Sequence, residues 1–339
     1  MRIGLWRTSM YKDDGVYRGF VALERALKRL GHEVVTVGAP RPNVTKFDGC
    51  DVVFVYEAMW NWGKKTDPTT VLEGVRRIGP ERCILGVNCP LDSLHGDVRE
   101  PTLQLLQIVP RVWTNSRHRV AGYRDDAFVS PYILHWPEFP AYAGGASGVI
   151  ATGRIWDKRK RLLLPIEHGY RGGYTLCGSL GLFGGWVRKE LMAAGAEMVS
   201  AEPSSGSKPW MVTWPGYDTT LVYEGKYKDF TMVPWHLAKV HFAGVEAEWV
   251  GDPGLLETVT IEAMDAGLNV VVPVHSARPV LGYNSIFTFE GDDPTAAIEA
   301  AMESPPLDHS HDLALHDPLL FARRLLSWSW TPHEYPLAQ

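Results

Sequence analysis

The segment LETVTIEAMDAGLNVVVP, residues 256–273, predicts a helix that leads through a glycine into a buried strand. Its apolar residues recur at helical spacing up to Gly267, a residue type that commonly ends helices because it adopts the left-handed conformation freely. The valines that follow form a continuous apolar run, which is typical of a strand covered on both faces. A helix that leads directly into such a strand is the repeating unit of α/β proteins with parallel sheets.

The same alternation runs through both halves of the chain. In the first half, predicted strands at 2–6, 32–38, 51–57, 83–90 and 111–116 alternate with predicted helices at 16–31, 69–79 and 98–108. After a stretch rich in proline and aromatic residues, the pattern resumes with strands at 149–153, 174–178, 219–225, 247–251 and 269–274 and with helices at 160–169, 184–199, 260–267 and about 313–328. We therefore expect an α/β protein of two doubly wound domains, which bind ligands at the carboxyl ends of their strands.

The predicted bounds are 1–130 for an N-terminal domain, 131–148 for a linker, 149–312 for a C-terminal domain and 313–339 for a final helical segment. The chain of 339 residues has a net charge of -5, so contact with nucleic acid would require a local basic patch. The start, MRIGLW, lacks the apolar segment of a signal peptide, and no apolar run approaches the length of about 18 residues expected for a membrane span. We expect a cytoplasmic monomer with no membrane partner, whose four cysteines are reduced.

Three segments resemble parts of GT-B glycosyltransferases. They are VIATGRIWDKRKR (149–161), TIEAMDAGLNVVVP (260–273) and the terminal LLSWSW (325–330). This resemblance implies two Rossmann-like domains facing a central crevice, with a nucleotide-sugar donor in the C-terminal domain and the acceptor mainly in the N-terminal one. It also implies that the segment 313–339 crosses back onto the N-terminal domain.

Further segments, in the same order along the chain, resemble bacteriophage DNA β-glucosyltransferases, which glucosylate hydroxymethylcytosine in duplex DNA. They are VYEAMWNWGKKTDPTTVL (55–72), CILGVNCPLDSL (83–94), LVYEGKYKDF (221–230) and AEWVGDPGLLETVTIEAM (247–264). The resemblance implies transfer of a sugar to a hydroxyl of a modified base in phage DNA, inside the host cytoplasm. It implies a UDP-sugar donor, with a GDP-sugar as the alternative, and no obligatory protein-bound metal.

A basic run follows the strand that ends at Gly153. A nucleotide diphosphate needs cations and backbone N–H donors, and a cationic first turn opposes the helix dipole, which favours a functional role for this run. We expect Arg154 to bind the diphosphate first, with Lys158 or Arg159 second; Lys160 and Arg161 complete the run. The other donor-binding candidates are Gly15, Gly153, Gly178, Gly225 and Lys226.

The two glutamates at the predicted helix start in 256–273 are the candidates for the donor ribose. One carboxylate can accept hydrogen bonds from both hydroxyls of a ribose, and Glu262 suits that role, with Glu257 as a second candidate. An acid near a helix start also complements the helix dipole, which is the structural alternative. Retaining GT-B enzymes of the glycogen-synthase type carry two glutamates eight positions apart, but Gly254 stands eight positions before Glu262, so the stereochemical outcome stays open.

The acceptor hydroxyl needs a general base. Asp92 follows the predicted strand at 83–90, and His95 and Asp97 are its rivals. Asp14 precedes the first helix, where it suits either the sugar hydroxyls or a helix cap.

An aromatic and basic loop supplies the acceptor-binding candidates Trp60, Trp62, Lys64 and Lys65. Such a loop suits either an extruded base in duplex DNA or a glycan stacked on tryptophan. Further phosphate contacts are expected from Arg117, Arg119 and Arg124.

Other functions fit parts of the same pattern. The acceptor could instead be a polysaccharide, a lipid-linked glycan or a protein, and the fold also suits a nucleotide-sugar epimerase or a catalytically silent nucleotide-binding module. The segment DHSHD (308–312) has metal-ligand residue types, but we expect a polar surface loop there.

Overall fold

The structure is a computed structural model. It describes residues 1–7, 15–38, 43–56, 68–87, 99–114, 120, 122–129, 144–145, 147–155, 160–179, 185–199, 210–216, 220–223, 233–244, 258–274 and 283–330. The chain divides into two compact units, unit 1 formed by Met1–Trp136 with Leu315–Gln339 and unit 2 formed by Pro137–Ala314. Along the described residues, no helix is long and apolar enough to cross a membrane.

The strands and helices of both units are numbered in chain order. The strands are β1 Arg2–Arg7, β2 Glu33–Gly38, β3 Val52–Tyr56, β4 Cys83–Val87, β5 Arg111–Thr114, β6 Phe128–Val129, β7 Val149–Arg154, β8 Tyr174–Ser179, β9 Glu197–Met198, β10 Trp210–Thr213, β11 Thr220–Tyr223, β12 Val240–Phe242, β13 Asn269–Pro273 and β14 Phe287–Phe289. The helices are α1 Gly15–Arg29, α2 Pro68–Ile78, α3 Arg99–Ile108, α4 Leu164–Glu167, α5 Gly185–Ala193, α6 Thr258–Asp265, α7 Thr295–Glu303, α8 Ser310–Ala314 and α9 Pro318–Trp330.

Unit 1 contains a parallel six-stranded sheet in the order β2-β1-β3-β4-β5-β6. The central strand β4 is apolar and buried along its whole length and β1 is buried between its terminal arginines, as coverage of both faces of a sheet requires, whereas the edge strand β2 is mostly exposed or half-buried. Trp6 of β1 packs against Phe47, and its ring also lies where a side chain at Gly74 would have to go. The ring of Phe321 in α9 contacts Trp113 of β5 edge-on, which anchors the last helix of the chain to the core of this unit.

Unit 2 contains an eight-stranded sheet in the order β14-β13-β12-β7-β8-β11-β10-β9. The strands from β14 to β11 are parallel, whereas β10 and β9 are antiparallel. Counted in chain order from β7, the parallel strands lie in the order 6-5-4-1-2-3, which is the order of Rossmann sheets. The strand order reverses between β7 and β12, and doubly wound sheets bind ligands at the carboxyl ends of the strands at such a switch point.

The structure confirms the predicted α/β class but corrects three local predictions. The helix predicted at 160–169 is reduced to α4, because Arg161 has a left-handed backbone (φ 43°) that interrupts a helix. The helix predicted at about 313–328 is two helices, α8 and α9, and the second begins at Pro318, where proline is favoured. The sequence pattern predicts a strand at the end of 184–199, where β9 lies, but it indicates neither β10 nor the antiparallel pairing of this edge.

The segment 308–312 is not a surface loop, since two of its side chains are buried in a polar network. His309 and Asp312 are both at most 4% exposed. Asp312 accepts hydrogen bonds from the backbone N–H groups of Asn284 and Ser285 and from the Ser285 hydroxyl. His309 donates from Nε2 to the carbonyl oxygen of Leu268 (2.8 Å), and its Nδ1 lies 2.8 Å from Ser285 Oγ.

This network ties the segment before α8 to the start of β13 and to the segment before β14. Its residue types resemble those of a metal site, but each polar atom named above bonds to another protein group. Within the described ranges, no group of three His, Cys, Asp or Glu side chains is arranged to hold a metal ion. Among the described residues, the side chains of Cys50, Cys83 and Cys177 are buried as thiols and not as disulfides.

Candidate donor-binding site

Two glycines face each other at the carboxyl ends of β7 and β8. Gly153 pairs with Gly178 in register, and both have positive φ angles, 145° and 136°. A Cβ atom at Gly178 would lie 1.9 Å from the carbonyl oxygen of Gly153, so a side chain at Gly178 would require the strands to separate. Without side chains, this end of the sheet leaves the backbone open to close approach by a ligand.

The side chain of Lys160 lies next to Gly153, at the switch point of the sheet. Its side chain is buried, with 5% exposed. A Cβ atom at Gly153 would lie 3.8 Å from Lys160 Nζ, and one at Gly244, just after β12, would lie 2.4 Å from the carbonyl oxygen of Lys160. Lys160 is therefore held between the end of β7 and the end of β12, at the point where the sheet reverses its strand order.

The neighbouring arginines of the basic run differ in what they bind. Arg161 forms an ion pair with Asp292 (2.6 Å) and lies 3.6 Å from Glu167, so its charge is matched inside unit 2. Arg154 is the last residue of β7 and pairs in register with Ser179, which places its backbone at the carboxyl end of the sheet. The Arg154 side chain, with Lys158 and Arg159, lies outside the described residues.

Glu262 is buried, with 6% exposed, and is the fifth residue of α6. The favourable effect of the helix dipole is confined to the first turn, which contains no acid in α6. The helix dipole, which the sequence offered as an alternative reason for an acid here, therefore does not explain the position of this carboxylate. The carboxylate of Glu262 is therefore a buried charged group on the helix that leads into β13.

The remaining candidates divide into those that the structure describes and those that it does not. Gly15 is the first residue of α1, so its backbone lies at a helix N-terminus. The candidates outside the described residues are Asp14, Trp60, Trp62, Lys64, Lys65, Asp92, His95, Asp97, Arg117, Arg119, Gly225, Lys226 and Glu257.

Arg124 does not have the role predicted for it. Its guanidinium donates to the carbonyl oxygens of Leu106, Val109 and Pro110 at distances of 2.6–2.7 Å. It also forms an ion pair with Asp126, which lowers the pKa of that carboxyl group. Arg124 therefore closes the C-terminal end of α3 instead of presenting a charge to a phosphate.

Neither a protein-family model nor a curated protein matches this sequence. Solved structures, by contrast, match it over nearly its whole length. Anabaena Alr3699/HepE in complex with UDP is 10% identical with a TM-score of 0.64, and the match covers 96% of this chain and 99% of that one. An alpha-glucosyltransferase in complex with UDP-glucose and DNA containing an abasic site is 10% identical with a TM-score of 0.61, covering 98% and 96%. AviGT4, a glycosyltransferase involved in Avilamycin A biosynthesis, is 15% identical with a TM-score of 0.57, covering 97% of both chains.

The chain has the GT-B fold. This confirms the fold class predicted from the sequence, because the matches span both units. The neighbour that was crystallised with DNA is an alpha-glucosyltransferase, whereas the sequence segments were matched to the β enzymes. At identities of 10–15% the similarity establishes the fold.

Proposed function

We propose that this protein is a glycosyltransferase that uses a UDP-sugar donor. The observation that carries the proposal is the buried Lys160 between Gly153 and Gly244, at the switch point of a Rossmann sheet. A cation beside an open backbone at this position suits a diphosphate. Two proteins of the same fold, HepE and the alpha-glucosyltransferase, were crystallised with UDP or UDP-glucose, which favours UDP over GDP.

The proposed roles follow from the charges that the reaction moves. The bond between the anomeric carbon and the diphosphate oxygen breaks, so negative charge accumulates on UDP, where Lys160 and Arg154 stabilise it. Glu262 accepts hydrogen bonds from the ribose hydroxyls. The acceptor oxygen attacks the anomeric carbon and gives its proton to a base, for which Asp92 is the first candidate and His95 and Asp97 are the next.

We expect Arg154→Ala and Glu262→Ala each to weaken UDP binding by about 1.5–3 kcal/mol, because each removes a charge-assisted hydrogen bond. Titration calorimetry with UDP and GDP measures the effect. The matched controls are Lys189→Ala and Glu303→Ala, which remove exposed charges from α5 and α7 of the same unit. If the two site variants bind UDP as tightly as the controls while remaining folded, these residues do not bind the donor.

For the acceptor, we propose a hydroxyl group on a hydroxymethylated base in duplex DNA. The support is the fold shared with an alpha-glucosyltransferase that was crystallised with DNA containing an HMU base, together with the aromatic and basic loop that contains Trp60 and Lys64. The second candidate is a glycan acceptor, because sugars also stack on tryptophan faces such as those of Trp60 and Trp62.

If DNA is the acceptor, phosphate contacts must provide most of the affinity, and binding must weaken with salt by a log-log slope of about -0.9 per neutralised phosphate. Replacing Lys64 and Lys65 by glutamine should make that slope shallower by about one to two units and leave UDP binding unchanged. A control of equal charge is Lys46→Gln with Arg77→Gln, since both residues are exposed in unit 1. Transfer to a glycan, without DNA binding even at low salt, would reject the DNA acceptor and leave the glycosyltransferase proposal intact.

A further inference from the structure

We infer that His241 is a positioning residue of the donor site, which holds the helix that carries Glu262 against the strand that leads to Gly153. The inference rests on the proposed function, because it assigns a task at the same UDP site. His241 lies on β12 and is fully buried, although its ring carries two polar nitrogens. An apolar side chain would fill the same space without the cost of burying those nitrogens.

The two ring nitrogens of His241 bridge two elements of unit 2. Nδ1 lies 3.2 Å from the carbonyl oxygen of Ile150 on β7, and Nε2 lies 3.4 Å from the hydroxyl oxygen of Thr260 on α6. A carbonyl oxygen only accepts, so Nδ1 carries the hydrogen and donates it to Ile150. In the neutral ring Nε2 then accepts, so the Thr260 hydroxyl is the donor. The indole ring of Trp235 packs edge-on against the imidazole, with ring centroids 5.7 Å apart, and restricts its orientation.

Each end of this bridge lies close in sequence to a proposed donor contact. Ile150 precedes Gly153 by three residues on β7, and Thr260 precedes Glu262 by two residues on α6. His241 itself precedes Gly244 by three residues, and Gly244 packs against the backbone of Lys160. The bridge therefore connects β7, β12 and α6 at the point where the sheet reverses its strand order.

A shift of α6 relative to β7 would move Glu262 away from the diphosphate-binding end of β7. Binding groups must be held to a fraction of an ångström by the residues behind them, and a loosely supported site loses affinity even when its contact residues are intact. The bridge provides such support, because it fixes the orientation of α6 at Thr260, two residues before the buried carboxylate.

The test uses variants that change one hydrogen bond at a time. Thr260→Val keeps the shape of the side chain and removes the hydroxyl donor, whereas Thr260→Ser keeps the donor. His241→Asn retains a nitrogen that can reproduce the Nδ1 donor but lacks the Nε2 acceptor. Thr102→Val is the matched control, because Thr102 is equally buried but belongs to α3 of unit 1.

The full-length protein is titrated with UDP by calorimetry, and the thermal midpoint of each variant is measured in parallel. We expect Thr260→Val and His241→Asn each to raise the Kd for UDP about three- to tenfold, as loss of one hydrogen bond allows. The double variant should bind UDP no less tightly than the single variant with the higher Kd, because both substitutions remove the same hydrogen bond. Thr260→Ser should restore binding to within about twofold of the wild type.

The outcomes separate the positioning role from a structural one and from the proposed function. If both single variants have lower thermal midpoints but bind UDP like Thr102→Val, while Glu262→Ala weakens binding, His241 supports the fold only and the inference is overturned. If the wild-type protein does not bind UDP at millimolar concentration, the proposed function fails and the inference fails with it.

Discussion

Replacement of Lys160 by methionine is expected to lower kcat by about 100- to 1000-fold, the range found when one group that stabilises transition-state charge is removed. Methionine is unbranched, so it can keep the packing of the lysine stem against Gly153 while removing the ammonium group. The effect should be larger on turnover than on UDP-sugar affinity, because the charge on the diphosphate grows as the glycosidic bond breaks. Single-turnover kinetics with radiolabelled UDP-sugar separates the effect on turnover from the effect on UDP-sugar affinity.

The control for this experiment is Lys189→Met, which removes an exposed lysine of α5 from the same unit. Circular dichroism and the thermal midpoint show whether Lys160→Met remains folded. Turnover within threefold of the wild type would exclude Lys160 as the cation for the leaving group and would transfer that role to Arg154. Because hydrolysis of the UDP-sugar without an acceptor uses the same leaving group, the measurement does not depend on the identity of the acceptor.

The fold was predictable because its determinants are local. The central strands β3 and β4 of unit 1 are apolar runs, and Gly31 and Gly79, which follow α1 and α2, have the positive φ for which glycine is favoured at helix ends. The predicted and observed bounds of α2 and α6 therefore differ by at most two residues. The short strand β14 and the antiparallel strand β10 were missed because three or four residues carry too little periodicity to predict a strand.

The candidate site was harder to predict, because burial and partners decide the role of a charged residue. Five cations between Arg154 and Arg161 are similar in sequence, yet Arg161 pairs with Asp292 whereas Lys160 is buried against Gly153. Arg161 also has a left-handed backbone conformation, which its residue type does not reveal in the sequence. His241 has no motif at all, since its partners lie 91 and 19 residues away.

Replacement of Asp312 by alanine is expected to destabilise unit 2 by about 3–5 kcal/mol, because three hydrogen-bond donors lose their acceptor. The change leaves the backbone N–H groups of Asn284 and Ser285 and the Ser285 hydroxyl without their acceptor. Each unsatisfied buried donor costs about 1–3 kcal/mol, so the sum reaches the expected range even after partial relaxation. Asp312→Asn keeps one side-chain oxygen as an acceptor and should cost less than half as much.

Urea unfolding monitored by tryptophan fluorescence measures the decrease in the free energy of unfolding. Hydrogen exchange shows which part of the protein is destabilised. The amides of Asn284 and Ser285 should lose protection first, whereas amides of β1 in unit 1 should keep theirs, because the network lies in unit 2. Glu290→Ala is the matched control, since it removes an exposed carboxylate next to β14. A decrease below about 1 kcal/mol would contradict the prediction that these hydrogen bonds stabilise unit 2. It would mean that water or the neighbouring backbone satisfies the donors once Asp312 is removed.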